Sequence, residues 1–430
     1  MHAQRPPVAA AACAAPACAA DTIVIIGAGQ AGGWAAHTLR QEGWAGRIVL
    51  LGDEPHPPHE RPPLSKAVLA GTAAPDSTAL FKPEAFAALN LDWRPGVRVQ
   101  RIDRAARQVL LQGGSAIGYH RLILCTGGRA RPLPVPVDAA VQVHLLRTIA
   151  DALALAPRLQ PGRQLVVIGG GWVGLEVAAT ARSRGMAVTV VEAQGRLCER
   201  TVPRDVSEHL LALHQAQGTQ VLLGAVVARV EARVEACTAA GEAGAATVHL
   251  ADGRTLAADT VVAGIGLLPN DELAREAGLD CDGGVLVDDA CRTSDPHILA
   301  AGDVAVSFNP WAGRRLRLES WQNAQEQGMA AARSALGRLV SYQPLPWFWS
   351  DQYGMNLQIY GMPLPTHQAV LRGTPGSGSF LVGYFNGAVM EAALGPNAAK
   401  DLRFARRLIE QRKSIDPARL ADPAIPMSRL

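Results

Sequence analysis

Two glycine triplets have the spacing needed to hold a phosphate. Gly27, Gly29 and Gly32 follow the apolar run TIVII, and Gly169, Gly171 and Gly174 follow QLVVI. In a GxGxxG turn the first glycine permits the tight bend. The second lets backbone approach a pyrophosphate, and the third lets helix and strand pack closely. The helix that begins in such a turn presents unpaired N–H groups and the positive end of its dipole to the anion. Each unit then closes on a second apolar run that ends in an acid, RIVLLGD at Asp53 and AVTVVE at Glu192. A carboxylate at that place accepts hydrogen bonds from ribose hydroxyls and repels a 2′-phosphate. Ala193 and Gln194 follow Glu192, so no arginine adjoins it and NADH is favoured; Arg196 and Arg200 are near enough to admit NADPH.

Two dinucleotide units in one chain imply two dinucleotides, and FAD with NADH is the economical pair. Nicotinamide hands over a hydride, whereas a flavin takes two electrons together and returns them singly. The pattern predicts an α/β protein with two Rossmann-like domains. A C-terminal α+β domain would occupy 341–430. Helices are expected over Thr148–Leu159, about Glu319–Leu336 and Ala398–Lys413, and antiparallel strands over VVARVEARVEA and ATVHLADGRTL. Residues 1–20, rich in alanine, lack the apolar centre and basic start of a signal peptide and are expected to be a disordered leader.

Composition narrows the partners. The chain of 430 residues is 48% hydrophobic and 18% charged, with a net charge of +3, too little for a nucleic-acid binder without a clustered patch. No apolar run reaches the roughly 18 residues of a membrane span. Seven cysteines show no paired CxxC spacing, which points to a reducing cytoplasm and excludes an iron–sulfur cluster held by this chain. HPPHE, His56 to Glu60, mimics a metal cluster, but its prolines forbid a helical ligand face, and a surface loop is expected. Cys125 in LILCTGG reads as a small buried hydrophobe.

The order GAGQAG, ERPPLSK, CTGGRARPLP, HLLRT, GGGWVGLEVAA, GIGLLPN, AAGD, ESWQNAQEQ and PWFWSDQ resembles the ferredoxin reductases of bacterial oxygenase systems, from about Asp21 to the C-terminus. ERPPLSK and FWSDQ are far more specific than either glycine motif. The resemblance implies a glutathione-reductase-like architecture, in which residues 21–127 and 261–340 form one discontinuous FAD domain and residues 128–260 an NAD domain inserted in it. It implies that FAD is bound by the Gly27 turn, Asp53, Lys66, Val99, Arg147, Asp303 and Trp321. NAD would be bound by the Gly169 turn, Glu176, Glu192, Arg200 and the turn at Gly266. Lys66 would pair with Glu176 beside the reacting rings, where pairing lets each charge tolerate burial. The acceptor would be a separate iron–sulfur ferredoxin that feeds a terminal oxygenase, most simply an aromatic-ring-hydroxylating dioxygenase. The alternatives are a cytochrome P450 system, a rubredoxin reductase or a flavoprotein sensor of the apoptosis-inducing type. Lys400, Arg403, Arg406 and Arg407 on the late basic helix form a possible docking face, and Trp347 and Trp349 would lie between flavin and partner. Disulfide-reductase relatives carry a CxxxxC pair after the first unit; here that place holds ERPPLSK, and the one CxxxxC, Cys13 to Cys18, precedes the glycine turn.

Overall fold

The computed structural model describes residues 21–233 and 245–430. The expected leader, with Cys13 and Cys18, and the tail of VVARVEARVEA lie outside the described residues.

The run TIVII forms the strand Thr22–Ile26, paired in parallel with Arg47–Leu51 and with Arg121–Leu124. Asp92–Arg94 and the late strand Ile298–Ala300 complete five strands. These strands are covered on both faces, so near-continuous β-branched runs suit them better than alternation does. Between the first two strands helix α1, Gln30–Gln41, starts from Gly29.

A second parallel sheet repeats the plan. Gln164–Ile168 lies between Ala187–Glu192 and Thr260–Ala263, with Gln220–Leu223 and Val143–His144 at the edges. Helix α2, Trp172–Ser183, starts from Gly171, and α3, Arg204–Ala216, follows the third strand of the unit in chain order. A three-stranded antiparallel sheet, Val227–Ala232, Ala246–Leu250 and Thr255–Ala258, lies against it as the alternation predicts. The expected boundary at 260/261 is displaced. Thr260–Ala263 is fully buried and pairs with Gln164–Ile168, so the inserted domain runs on through Ala263. The two crossings between domains meet as an antiparallel ribbon, Gly128–Ala130 with Leu267–Pro269.

The chain returns to the first sheet and enters α4, Trp321–Ala335, whose Ser320 hydroxyl accepts the Asn323 N–H as an N-cap. Helix α4 crosses α1 closely; a Cβ on Gly328 would sit 2.4 Å from the Ala31 carbonyl oxygen. The last domain is a five-stranded antiparallel sheet, Trp347–Gln352 through Val389–Pro396, covered on one face by α5, Ala399–Glu410. The opposite face buries Leu357, Val382, Tyr384 and Leu394 in one cluster with Leu165 and Leu175 of the second unit and Leu64 and Leu69 of the ERPPLSK region. Three domains therefore share a core beside the motif that sequence singles out.

Candidate active site

The glycines do different physical work. Gly27 has φ +105°, and a Cβ there would meet the Cys125 carbonyl oxygen at 2.1 Å; Gly169 has φ +109° and would meet that of Gly264 at 2.5 Å. Cβ atoms on Gly32 and Gly174 would collide with the carbonyls of Gly27 and Gly169 at 1.9 and 2.2 Å. The middle glycines face no such obstacle. A Cβ on Gly29 would find nothing nearer than 3.9 Å, and on Gly171 nothing nearer than 3.8 Å. Neither helix start has a side-chain cap. Open space over uncapped N–H groups is what a pyrophosphate requires, so both turns fit a dinucleotide.

A cavity of about 670 Å³ opens on the first turn, and Lys66, Asp53, Arg147, Asp303, Trp321 and Glu176 line it. A second cavity of about 700 Å³ shares Gly27, Asp53, Thr126, Arg129 and Asn270 with it and is bordered by Val99. The residues expected to hold FAD thus line two adjoining cavities, Val99 the second and Lys66 and Trp321 the first. Arg147 donates to Asp303 at 2.8 Å and to the Gly128 carbonyl at 3.0 Å. The indole N–H of Trp321 donates to Glu60 at 3.0 Å. Rings of Trp321, Trp347 and Trp349 pack with centroids 5.0 to 6.5 Å apart.

The Lys66–Glu176 pair forms as expected. Pro62–Ser65 makes a short 3₁₀ turn whose prolines fix φ, and Lys66 leaves it with Nζ 2.8 Å from Glu176 Oε1. Glu176 is buried on the first turns of α2 and also accepts from Ser65 Oγ at 2.5 Å and Ser350 Oγ at 2.7 Å. Two hydroxyl donors and one cation, from two chain segments distant from α2, offset its desolvation.

The remaining NAD residues gather around the second turn and do not themselves line the first cavity. Glu192 accepts the Gly170 N–H at 2.6 Å and the Gln194 N–H at 2.7 Å, so its carboxylate braces the turn. Arg200 approaches Gly266, which has φ +111°; a Cβ there would be 3.3 Å from the guanidinium. Arg196 is committed elsewhere, to the carbonyls of Val202 and Glu199 and to Ser207 Oγ.

Several residues that line or support the site carried no sequence signal as individuals. Arg61 donates to Glu54 and to the Arg147 carbonyl, at 2.8 and 2.6 Å. Burial would raise the Glu54 carboxyl, but the Arg61 charge and hydrogen bond hold it below its ordinary value. Burial pushes the Glu319 carboxyl up despite Arg317 beside it. Ser65 and Ser350 stand inside ERPPLSK and FWSDQ, so the motifs themselves were the available clue. As expected, Cys125 is buried, its thiol pushed up to about 12 by burial. No group of metal-ligating side chains occurs among the described residues. His59 is buried 3.8 Å from Glu54, and HPPHE is a loop. No helix among the described residues is long and apolar enough to cross a membrane.

Residues 21–328 match the pyridine nucleotide-disulphide oxidoreductase family, and residues 347–430 match the reductase C-terminal family. The chain is 41% identical to the ferredoxin–NAD(+) reductase component of the anthranilate 1,2-dioxygenase system of Burkholderia cepacia, covering 94% of this chain and 98% of that protein. Identity to putidaredoxin reductase of Pseudomonas putida is 39%, over 95% of this chain and 96% of that one. Among solved structures, that of the covalent putidaredoxin reductase–putidaredoxin complex superposes with a TM-score of 0.90 at 39% identity, covering 95% and 97% of the two chains.

Proposed function

The chain belongs to the pyridine nucleotide-disulphide oxidoreductase family and carries its reductase C-terminal domain, and on that premise we propose that it is an FAD-dependent NADH:ferredoxin oxidoreductase. The observation that carries this reading is the Lys66–Glu176 pair, in the cavity lining where relatives with a disulfide relay would place cysteine. FAD, when bound, takes a hydride from NADH as an electron pair and releases electrons singly to a one-electron acceptor.

The chain's residues supply binding and electrostatics. The Gly27 and Gly169 turns would cradle the two pyrophosphates, and Asp53 and Glu192 would meet the riboses. Arg147 and Asp303 brace each other in the lining of the first cavity. Lys66 offers its cation where negative charge develops on reduction, and Glu176 holds that cation in place. No covalent nucleophile is required. Arg196 is committed to its own loop, which removes one of the two guanidiniums that could meet a 2′-phosphate and supports NADH as the donor.

The acceptor is a ferredoxin, and the anthranilate 1,2-dioxygenase and putidaredoxin names of the relatives point to an oxygenase beyond it. An aromatic-ring-hydroxylating dioxygenase is the first candidate and a cytochrome P450 the second. Lys400, Arg403, Arg406 and Arg407 are exposed on α5, and Arg406 lies over Tyr360, which stacks on Trp347 of the tryptophan cluster. An acidic partner on this face would be steered there by charge and stand next to the cavity wall. Reducing cytoplasm is the proposed location, in keeping with the free thiols of Cys125, Cys198, Cys281 and Cys291.

Anaerobic mixing with NADH, followed by titration of ferredoxins and cytochrome c, tests the reading. Fast flavin bleaching, with cytochrome c reduced only when a ferredoxin is present, is expected. Slow bleaching whatever the acceptor would overturn it in favour of a sensor.

A further inference from the structure

Behind Glu176 lies a chain of buried polar groups that cofactor binding does not use. Ser350, on the strand Trp347–Gln352, is fully buried and donates to Glu176 Oε1 at 2.7 Å. Gln352, two residues on and 1% exposed, donates from Nε2 to Ser350 Oγ at 3.0 Å. Its Oε1 lies 2.8 Å from Nε2 of His214 on α3, an imidazole with no exposure. Tyr353 OH is 3.4 Å from His214 Nδ1, and Thr219 Oγ1 is 3.0 Å from Tyr353 OH. The chain crosses from the C-terminal domain to the second unit and ends on the carboxylate that pairs with Lys66.

Its direction follows from the carboxylate. An ionised Glu176 can only accept, so Ser350 must donate to it and keeps lone pairs for Gln352. The Gln352 amide then turns its NH₂ to Ser350 and its oxygen to His214. His214 must carry its proton on Nε2, which leaves Nδ1 bare to accept from Tyr353. Burial lowers the His214 imidazole from its ordinary value and so keeps it neutral, as this arrangement needs. An amide in mid-chain does not hop protons, so the arrangement orients groups and does not conduct.

We propose that Ser350, Gln352 and His214 form a directional relay that positions Glu176 against Lys66, so that the C-terminal domain sets the rate at which NADH reduces the flavin. The proposal rests on the reductase reading above. These are positioning residues: among them only Ser350 touches Glu176, and none of the three itself lines the cavity.

Gln352→Glu is isosteric and reverses the polarity at one link. Its carboxylate competes with Glu176 for the Ser350 hydroxyl and draws a proton onto His214. Gln352→Met removes both links but leaves the Ser350 hydroxyl free to turn to Glu176. Loss of one charge-assisted hydrogen bond at Glu176 corresponds to about tenfold. Single-turnover reduction by NADH should therefore slow about tenfold in Gln352→Glu and about two- to threefold in Gln352→Met, with FAD content unchanged in both. A rate in Gln352→Glu within twofold of the parent, or a larger loss in Gln352→Met, overturns the proposal. Histidine ¹⁵N spectra of the parent holoprotein give a readout that needs neither turnover nor a variant that folds. His214, recognised as the imidazole next to Tyr353 by its couplings, should be neutral with its proton on Nε2; a proton on Nδ1 overturns the relay. Failure of NADH to reduce the parent would sink the reductase reading alone, and the His214 tautomer would still decide the relay.

Discussion

The two dinucleotide units share a glycine motif, and one of the helical positions at which they differ bears on the chemistry. Two residues past the third glycine, the first unit has Trp34 and the second has Glu176. Both positions point off the first turns of a helix toward neighbouring chain. Around Trp34 the neighbours are His37 and Phe81, with ring centroids 5.3 and 5.5 Å away. Around Glu176 they are Lys66, Ser65 and Ser350. One backbone geometry thus serves as a cradle backed by an aromatic wedge and as a cradle backed by an ion pair. The cradle is a local property of glycine spacing, whereas the chemistry beside it depends on which distant segment covers the helix.

The comparison breaks most completely at the first glycines. Gly27→Ala and Gly169→Ala each force a side chain into a left-handed backbone and onto a carbonyl oxygen, a loss well above about 1 kcal/mol. Gly27→Ala should purify without yellow colour; stoichiometric FAD in its visible spectrum would refute that account of the turn.

The Lys66–Glu176 pair is the next test. Lys66→Met leaves Glu176 buried without its cation, a change of up to about 3 kcal/mol in stability. Flavin reduction by NADH should fall at least about tenfold while FAD stays bound. Trp34→Phe, at the matching position of the other unit, should leave that rate unchanged. Equal effects in stopped flow would mean that the two positions do not differ as described.

The middle glycines separate ligand from fold. Gly29→Ala and Gly171→Ala have room for the methyl group, so with FAD removed both should melt within a few degrees of the FAD-free parent. Gly29→Ala should lose affinity for FAD, and Gly171→Ala should raise the KM for NADH with FAD intact. Calorimetry with cofactor titration checks both; a large drop in Tm without a binding defect would reverse the assignment.

The smallest effect concerns acid. His59, His144 and His214 are all lowered by burial. A base whose folded pKa is depressed binds its proton more readily when unfolded, so its stabilising contribution is present above the unfolded value and is lost as pH falls below about 6.5. Each such site removes at most about 1.4 kcal/mol per pH unit below that value. Tm should fall between pH 7 and pH 5, and a flat or rising profile would contradict it.

Much of this was legible in the linear chain. Strand, glycine turn, helix and terminal acid stand within about 30 residues of one another, so local spacing reveals each unit. The helix expected over Thr148–Leu159 was similarly readable; it runs Ile149–Leu155, with Thr148 as its N-cap and Asp151 completing a capping box. The end of the inserted domain was not. TVVA, Thr260 to Ala263, is a buried parallel strand whose apolar run is equally compatible with either sheet, and only pairing with Gln164–Ile168 assigns it. His214 was invisible for a related reason: on an amphipathic helix it reads as any polar residue, and its partner Gln352 is 138 positions away.

Sequence alone determined the two cradles, their acids and the absence of a cysteine relay after the first unit, because these depend on residue type and short spacing. Tertiary structure decided that Lys66, Glu176 and Ser350 meet. They are separated by more than a hundred residues each way, and burying a carboxylate requires donors to converge from wherever the fold can bring them.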